Sequence, residues 1–254
     1  MVPAPFPSSG RKYSTPLDLV HGDLCGQMEV ASLAGSLYQL TLVDDATNKM
    51  FTYFFKSKSE VSEAFIDFKD EVKNQTGLTI KRFRSDNGTE FVNEKMKSLF
   101  KKCGIIHQRS VAYTPQQNGK AERANRTIVE RARSMLADAG LPKTFWAEAA
   151  NTAVYLINRS PTKSQEVTPE EAWSNVKPDL FHLRIFGSDI EFMTPKQKRK
   201  KWDHKSCKSG IFIGYPEHTK GYRVYDMESK QVEKTKMSSS RMKVNFPQKG
   251  SCQL

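Results

Sequence analysis

Short hydrophobic runs, separated by turn residues, fill the first part of this chain. Three of them have the composition of β-strands, LDLVHGDLCG, SLYQLTLVDDAT and KMFTYFFKS. The runs at 37–43 and 50–55 flank the polar segment DDATN, which predicts a β-hairpin. Apolar residues then recur every three or four positions, which predicts one buried face of a helix that Gly77 ends. The residues on this face are Val61, Ala64, Phe65, Phe68 and Val72.

Strands and helices continue to alternate after this first helix. LTIKRFRSDNG predicts a fourth strand that ends in a polar turn, and IIHQRSV predicts a fifth, with a short helix between them. A long helix follows, with small and apolar residues along one face, and Gly140 ends it. Further helices are predicted over 143–158 and after Thr168, which caps a helix with Pro169 in its first position. This order predicts an α/β fold, in which helices pack on a mixed sheet.

Beyond about residue 181 the pattern changes to short strands with glycine and charged turns, such as SGIFIGY and GYRVYDM. We therefore expect four segments in the chain. They are a flexible lead-in over 1–16, an α/β domain over 17–180, a small all-β module over 181–236 and a disordered tail over 237–254.

Charge and cysteine usage narrow the class of protein. The formal net charge of +12 and the pI near 9.5 favour a polyanionic partner such as nucleic acid, although a merely soluble basic protein stays open. The four cysteines are scattered and no CxxC or HxxxH motif occurs, so we expect neither a zinc site nor a disulfide framework. No signal peptide or membrane span is evident, which predicts an intracellular protein, nuclear or cytoplasmic and not secreted.

Three acidic residues occupy informative positions. Asp23 lies in the first predicted strand, Asp86 closes the fourth, and Glu122 begins the long helix, with thirty-five residues between the last two. Converging carboxylates repel one another, and a pair of Mg²⁺ ions with their oxygen ligands would relieve that repulsion. Two of the three acids also have a simpler interpretation, whereas Asp23 lies in an apolar strand and is harder to explain otherwise. Glu122 could be the surface partner of Arg126 four residues on, and DNG is a common turn.

Further acids and bases surround this set. Asp44 and Asp45 are best explained as turn residues of the hairpin. On the long helix, we predict contact with DNA phosphates for Lys120, Arg123 and Arg126, against the alternative of a solvated face. The run KQKRKKW concentrates five positive charges, which could bind DNA, direct nuclear import or solvate a loop. Its candidate DNA-binding residues are Lys198, Arg199, Lys200 and Lys201.

The motifs together resemble a known family. HGDLCG, LVDDAT, RSDNGTEF, HQRSVAYTPQQNGKAERANRTIVERARSML, LRIFG and KSGIFIGYPEHTKGYRVYD are similar to the integrase of copia-type (Ty1-like) long-terminal-repeat retrotransposons. The resemblance runs over about residues 16–235. It implies a ribonuclease-H-like core with a DDE triad at Asp23, Asp86 and Glu122, followed by an SH3-like barrel. Gln117 and Asn118 fall in the loop that the family places beside its active site, and we predict that they contact DNA, against the alternative of a loop that only connects two elements.

The resemblance also implies a reaction. Mg²⁺ or Mn²⁺ on the triad would support trimming of the 3′ ends of the element's cDNA and their transfer to target DNA, by a chain that is a homo-oligomer when active. The family's zinc-binding domain has no counterpart here, so we expect a polyprotein fragment or an element-derived gene. Two alternatives remain. One is a catalytically inactive DNA-binding remnant, and the other is an RNA-cutting ribonuclease H, whose usual fourth carboxylate has no motif in this sequence.

Overall fold

The computed structural model describes residues 13–110, 119–161, 166–193, 207–217 and 219–235.

The first sheet of the protein contains both parallel and antiparallel strands. Five strands form this sheet in the order β3-β2-β1-β4-β5, with β1 antiparallel to β2 and parallel to β4. The predicted α/β fold class is therefore confirmed. The strands are β1 (Val20–Cys25), β2 (Tyr38–Asp44), β3 (Met50–Phe55), β4 (Arg82–Ser85) and β5 (Ile106–Arg109).

Helices cover both faces of this sheet. They are α1 (Val61–Thr76), α2 (Glu94–Cys103), α3 (Gly119–Ala139), α4 (Trp146–Asn158) and α5 (Pro169–Ser174). On one face, side chains of α1 and α2 pack with Leu40, Leu42 and Phe83 in a single buried cluster. On the other face, α3 packs against β1 and β2. Because both faces are covered, every residue of β2 after Tyr38 is buried, polar ones included.

The helix ends follow the signals in the sequence. Gly77 and Gly104 adopt left-handed backbone conformations just past α1 and α2, and the Thr168 hydroxyl accepts a hydrogen bond from Glu171 N at the start of α5. One prediction needs correction. The helix expected over 143–158 begins as a 3₁₀ turn at Lys143–Phe145, and α-helical geometry starts only at Trp146.

The second sheet is a four-stranded antiparallel meander, as expected for a small all-β module. Its strands are β6 (Asp189–Met193), β7 (Cys207–Gly214), β8 (Tyr222–Asp226) and β9 (Val232–Thr235). A compact core of Phe192, Phe212 and Tyr222 holds it together. The module docks on α4, where the Thr152 hydroxyl donates to Ile213 O at 3.1 Å.

A charged contact adds to this docking surface. The Arg223 guanidinium donates to the Glu148 carboxylate from Nε at 2.8 Å and again from a terminal nitrogen, and both side chains are largely buried. Bidentate pairs of this kind fix relative orientation as well as adding energy. Among the described residues, no helix is long and apolar enough to cross a membrane.

Candidate active site

Asp23 lies on the face of β1 that α3 covers. Side chains alternate between faces along a strand, so His21, Asp23 and Cys25 point the same way. Asp23 pairs across the sheet with Thr41 of β2, in the register that also places Cys25 opposite Gln39. The residue is half-buried, which leaves its carboxylate between the sheet and solvent at the edge of α3.

Asp86 lies beside the same end of β1. The parallel register pairs His21 with Arg84, and Asp23 and Asp86 each lie two residues beyond that pair. Asp86 also forms the polar turn expected of DNG, since its Oδ1 accepts a hydrogen bond from Gly88 N at 3.0 Å. The turn interpretation and the site interpretation of Asp86 are therefore compatible.

Strand β5 holds the backbone at Asp86. Ser85 Oγ lies 2.9 Å from the carbonyl oxygen of Asp86 and 2.9 Å from His107 Nε2. A carbonyl oxygen only accepts, so Ser85 donates to it and His107 Nε2–H donates to Ser85. Burial and the charge of Arg109 lower the pKa of His107 to about 4, so its ring is neutral at pH 7. These bonds hold the backbone of Asp86 in place just after the end of β4, and so fix the position from which its side chain extends.

Glu122 lies in the first turn of α3 with its side chain exposed. The surface ion pair with Arg126, which the i, i+4 spacing allows, is not formed between these two described residues. The negative charge of Glu122 instead affects the pKa of Asp23. Burial raises the pKa of Asp23, the hydrogen bond from Asn125 lowers it, and the negative charges of Asp86 and then Glu122 raise it. The pKa of Asp23 is therefore above its usual value, chiefly because the carboxylate is buried and further because two other acids lie near it.

Asn125 is a site residue that the sequence analysis missed. It lies three residues after Glu122, on the buried face of α3, and its Nδ2 donates to Asp23 Oδ2 at 2.7 Å. Its Oδ1 accepts from the Thr41 hydroxyl and, at 3.4 Å, from Gln39 Nε2. A polar residue within the stripe of Ala121, Ala124 and Ile128 was the available signal, since a buried amide needs partners.

The hairpin end contains two acids with different contacts. Asp44 is the turn residue that the sequence predicts, since its carboxylate accepts from Leu17 N, Thr47 N and the Thr47 hydroxyl. Asp45 has further partners, because its Oδ1 lies 2.9 Å from His21 Nε2 and 3.0 Å from Lys120 Nζ. Turn chemistry alone is therefore an incomplete account of Asp45.

The candidate DNA-binding residues differ in their surroundings. Arg123 and Arg126 are exposed on α3, one and four residues after Glu122. Lys120 already has a protein partner in Asp45, so its contact with DNA stays a prediction. The remaining candidates lie outside the described residues: Gln117, Asn118, Lys198, Arg199, Lys200 and Lys201.

The three acids do not line the large cavity beside β3 in the described part of the chain. That cavity, of about 740 Å³, lies against β3, α4 and α5, where Lys49, Trp173 and Tyr215 are among its walls. Asp23 and Asp86 are half-buried and Glu122 is exposed, near the start of α3.

Comparison with known proteins agrees with this architecture. Residues 14–115 match the family described as Integrase core domain, and residues 191–248 match Retroviral polymerase SH3-like domain. A chain of the simian T-cell lymphotropic virus intasome, solved in complex with PP2A regulatory subunit B56 gamma, has a TM-score of 0.53 and 15% identity. The match covers 93% of this chain and 82% of that chain, and it concerns the fold alone. Fold and domain order define an integrase core of ribonuclease-H-like fold followed by an SH3-like module.

Two relatives show which type of integrase this chain resembles. "Retrovirus-related Pol polyprotein from transposon TNT 1-94" of Nicotiana tabacum is 44% identical over 228 residues, which cover 89% of this chain and 17% of the polyprotein. The corresponding polyprotein from transposon RE1 of Arabidopsis thaliana is 35% identical over 212 residues, covering 83% of this chain and 14% of the polyprotein. The chain thus spans less than a fifth of either relative. It belongs to the copia-type retrotransposon integrases, which confirms the resemblance seen in its motifs.

Proposed function

We propose that this chain trims the 3′ ends of a retrotransposon's cDNA and transfers them to target DNA. Membership of the integrase family supports a polynucleotidyl transferase. One observation carries the assignment of the site. Asn125, three residues after Glu122 on α3, donates to Asp23 at 2.7 Å, and the parallel register places Asp86 beside the same end of β1. After burial, the charges of Asp86 and Glu122 also raise the pKa of Asp23, which supports one region for the three acids. In this proposal residues 17–180 are the catalytic core and 181–236 the SH3-like module.

Asp23, Asp86 and Glu122 would hold the divalent cations on which integrase cores of this family depend. Their carboxylate oxygens are the donors that Mg²⁺ and Mn²⁺ prefer. No ion pair with another described residue neutralises any of the three. Within the described residues no three Asp, Glu, His or Cys side chains are grouped closely enough to hold a metal ion, so the acids must approach one another on binding. When bound, two such cations stabilise the attacking and leaving oxygens of an in-line phosphoryl transfer.

The chain's own residues prepare this site. Asn125 fixes one carboxylate oxygen of Asp23, and the Gly88 amide fixes one of Asp86, so both acids are oriented by the protein. Glu122 is exposed and comes from a different element, which makes it the acid with the most freedom to adjust. Preorganised carboxylates on a sheet and an adjustable one on a helix fit a site that completes itself when cation and DNA arrive.

DNA is the proposed substrate. The net charge of +12 favours a polyanion, and the exposed Arg123 and Arg126 lie close to Glu122 in sequence, where phosphates of a bound strand would need neutralising. Contacts of this type position the backbone without reading base sequence. We also propose a homo-oligomer, because joining two cDNA ends to one target requires two active sites, and the viral relative of known structure comes from an intasome.

A strand-transfer assay on the unmodified chain tests this function. A duplex ending in the element's terminal sequence is incubated with a supercoiled target plasmid and Mg²⁺ or Mn²⁺. We expect joined products that require the metal and that a duplex with a scrambled end does not give. DNA binding without any metal-dependent product would support the inactive remnant instead. Cleavage confined to the RNA of an RNA–DNA hybrid would support a ribonuclease H.

A further inference from the structure

Asp45 connects the two elements that carry Asp23 and Glu122. Its Oδ1 lies 2.9 Å from His21 Nε2 in β1 and 3.0 Å from Lys120 Nζ in α3. Lys120 Nζ also donates to the carbonyl oxygen of Asp45 at 2.8 Å. Since a carboxylate only accepts, His21 donates from Nε2, and that ring is only 3% exposed. Asp45, the residue that directly follows β2, therefore bridges β1 and α3.

The positions of the two partners give this bridge its significance. His21 lies two residues before Asp23, and both side chains are on the same face of β1. Lys120 lies two residues before Glu122, in the same first turn of α3. Asp45 thus fixes the strand and the helix turn beside two of the three proposed cation ligands.

The hairpin itself does not require this arrangement. The carboxylate of Asp44 makes the turn contacts, with Leu17 N at 2.7 Å and Thr47 N at 2.8 Å. The backbone N–H of Asp45 donates to Leu19 O at 2.9 Å, which extends the pairing of β1 with β2. The side chain of Asp45 is therefore directed to α3 and β1 without a demand from the turn.

Electrostatics favours the same contact. A lysine in the first turn of a helix is disfavoured by the helix dipole, so Lys120 needs a compensating negative charge there. Burial opposes ionisation of Asp45, but hydrogen bonds from His21 and Lys120 and the charge of Lys120 outweigh it and lower the pKa of Asp45 to about 2. Asp45 is therefore ionised at neutral pH, and the pair is shielded, with side-chain exposures of 26% for Lys120 and 22% for Asp45.

We propose that Asp45 is a positioning residue, which holds the first turn of α3 through Lys120 so that Glu122 faces Asp23 and a divalent cation. The inference rests on the proposed function, since it concerns that same cation site. It assigns Lys120 to the support of Glu122, whereas the sequence analysis assigns Lys120 to DNA. Partners that orient metal ligands typically change metal affinity or activity about 10- to 100-fold when removed.

The test compares four variants of the full 254-residue chain. Asp45→Asn removes the negative charge of the pair and Lys120→Met removes its donor. The double variant combines the two changes, and Lys120→Arg keeps the ion pair. Mn²⁺ binding to the folded protein is measured without DNA, by calorimetry and by the shift in Tm. We expect the half-saturating Mn²⁺ concentration to rise about 10-fold in each single variant and no further in the double variant, with Lys120→Arg near wild type. Lys143→Met is the control, because Lys143 makes an exposed pair with Glu29.

Other results overturn the inference. A lower Tm with unchanged Mn²⁺ affinity means that the contact is only structural. Weaker DNA binding in Lys120→Met, stronger binding in Asp45→Asn and unchanged Mn²⁺ affinity mean that Lys120 is a DNA contact. If Asp45→Asn does not fold, Lys120→Met decides, since it leaves the hairpin intact. Wild-type protein that binds no Mn²⁺ refutes the proposed cation site itself, whereas wild-type and variants that bind it equally refute only the role of Asp45.

Discussion

Replacement of Asn125 by Ala removes a side chain that joins Asp23, Thr41 and Gln39 to α3. The bond from Nδ2 to the carboxylate of Asp23 is 2.7 Å long, and bonds to ionised groups contribute about 1.5–3 kcal/mol. The Thr41 hydroxyl also loses its acceptor. Gln39 offsets part of that loss by turning its Oε1, which has no partner among the described residues, toward Thr41. We therefore expect the free energy of unfolding to fall by about 2–3 kcal/mol.

Urea denaturation in metal-free buffer, followed by the fluorescence of the three tryptophans, measures this change. Thr127→Ala is the matched control, since it removes a hydroxyl from the same helix that bonds only the carbonyl oxygen of Arg123. We expect the control to lie within about 0.5 kcal/mol of wild type. If Asn125→Ala also lies in that range, the polar network between β1, β2 and α3 does not stabilise the site, and the reasoning is refuted.

Three further predictions follow from other contacts. The folded protein lowers the pKa of Asp45 from 3.8 to about 2, so the ionised carboxylate stabilises the fold above pH 4. This contribution is lost as the pH falls through about 2. In acid titrations we expect the free energy of unfolding of the wild type to fall by about 2 kcal/mol more than that of Asp45→Asn. Loss of Arg123 and Arg126 to Ala should lower the slope of log K for DNA against log salt by about one unit per contact, and an unchanged slope would place the DNA elsewhere. Glu148→Gln should destabilise the docked module by about 1.5–3 kcal/mol in urea, because it removes the charge that Arg223 contacts; a neutral effect would contradict the docking.

Much of the fold could be predicted from local pattern. The hairpin at DDATN, the glycine that ends α1 and the cap at Thr168 all depend on residues within a few positions of one another, and these predictions are confirmed. The family resemblance added the pairing of an integrase core with an SH3-like module, which spacing alone does not give. The 3₁₀ turn before α4 was not foreseen, because its geometry differs from that of an α-helix only in the first turn.

The support of the site could not be predicted in the same way. Asn125 contacts Gln39 and Thr41, which lie more than eighty residues away in the sequence, and Lys120 contacts Asp45, which lies 75 residues away. A single Asn or Asp has several satisfactory local explanations, a helix surface or a turn, so only the packing of α3 on the sheet identifies its partner. The three acids could be proposed from the sequence, because Asp23, Asp86 and Glu122 occur on the expected elements in the expected order. Each of them alone would be an ordinary residue.

The most direct test of the central claim is the activity of Glu122→Gln beside Glu130→Gln. Both residues are exposed on α3 and the substitutions are identical, but only Glu122 is proposed to hold a cation. Gln keeps the size of the side chain and removes the charge that a hard divalent cation needs. Metal-dependent strand transfer and metal-free DNA affinity are measured on each variant.

If Glu122 is a cation ligand, Glu122→Gln loses strand transfer to background while its metal-free DNA affinity stays equal or rises slightly, because a negative charge near phosphates is gone. Glu130→Gln keeps wild-type activity. Equal strand transfer by the two variants would contradict the proposed active site, whatever their affinity for DNA.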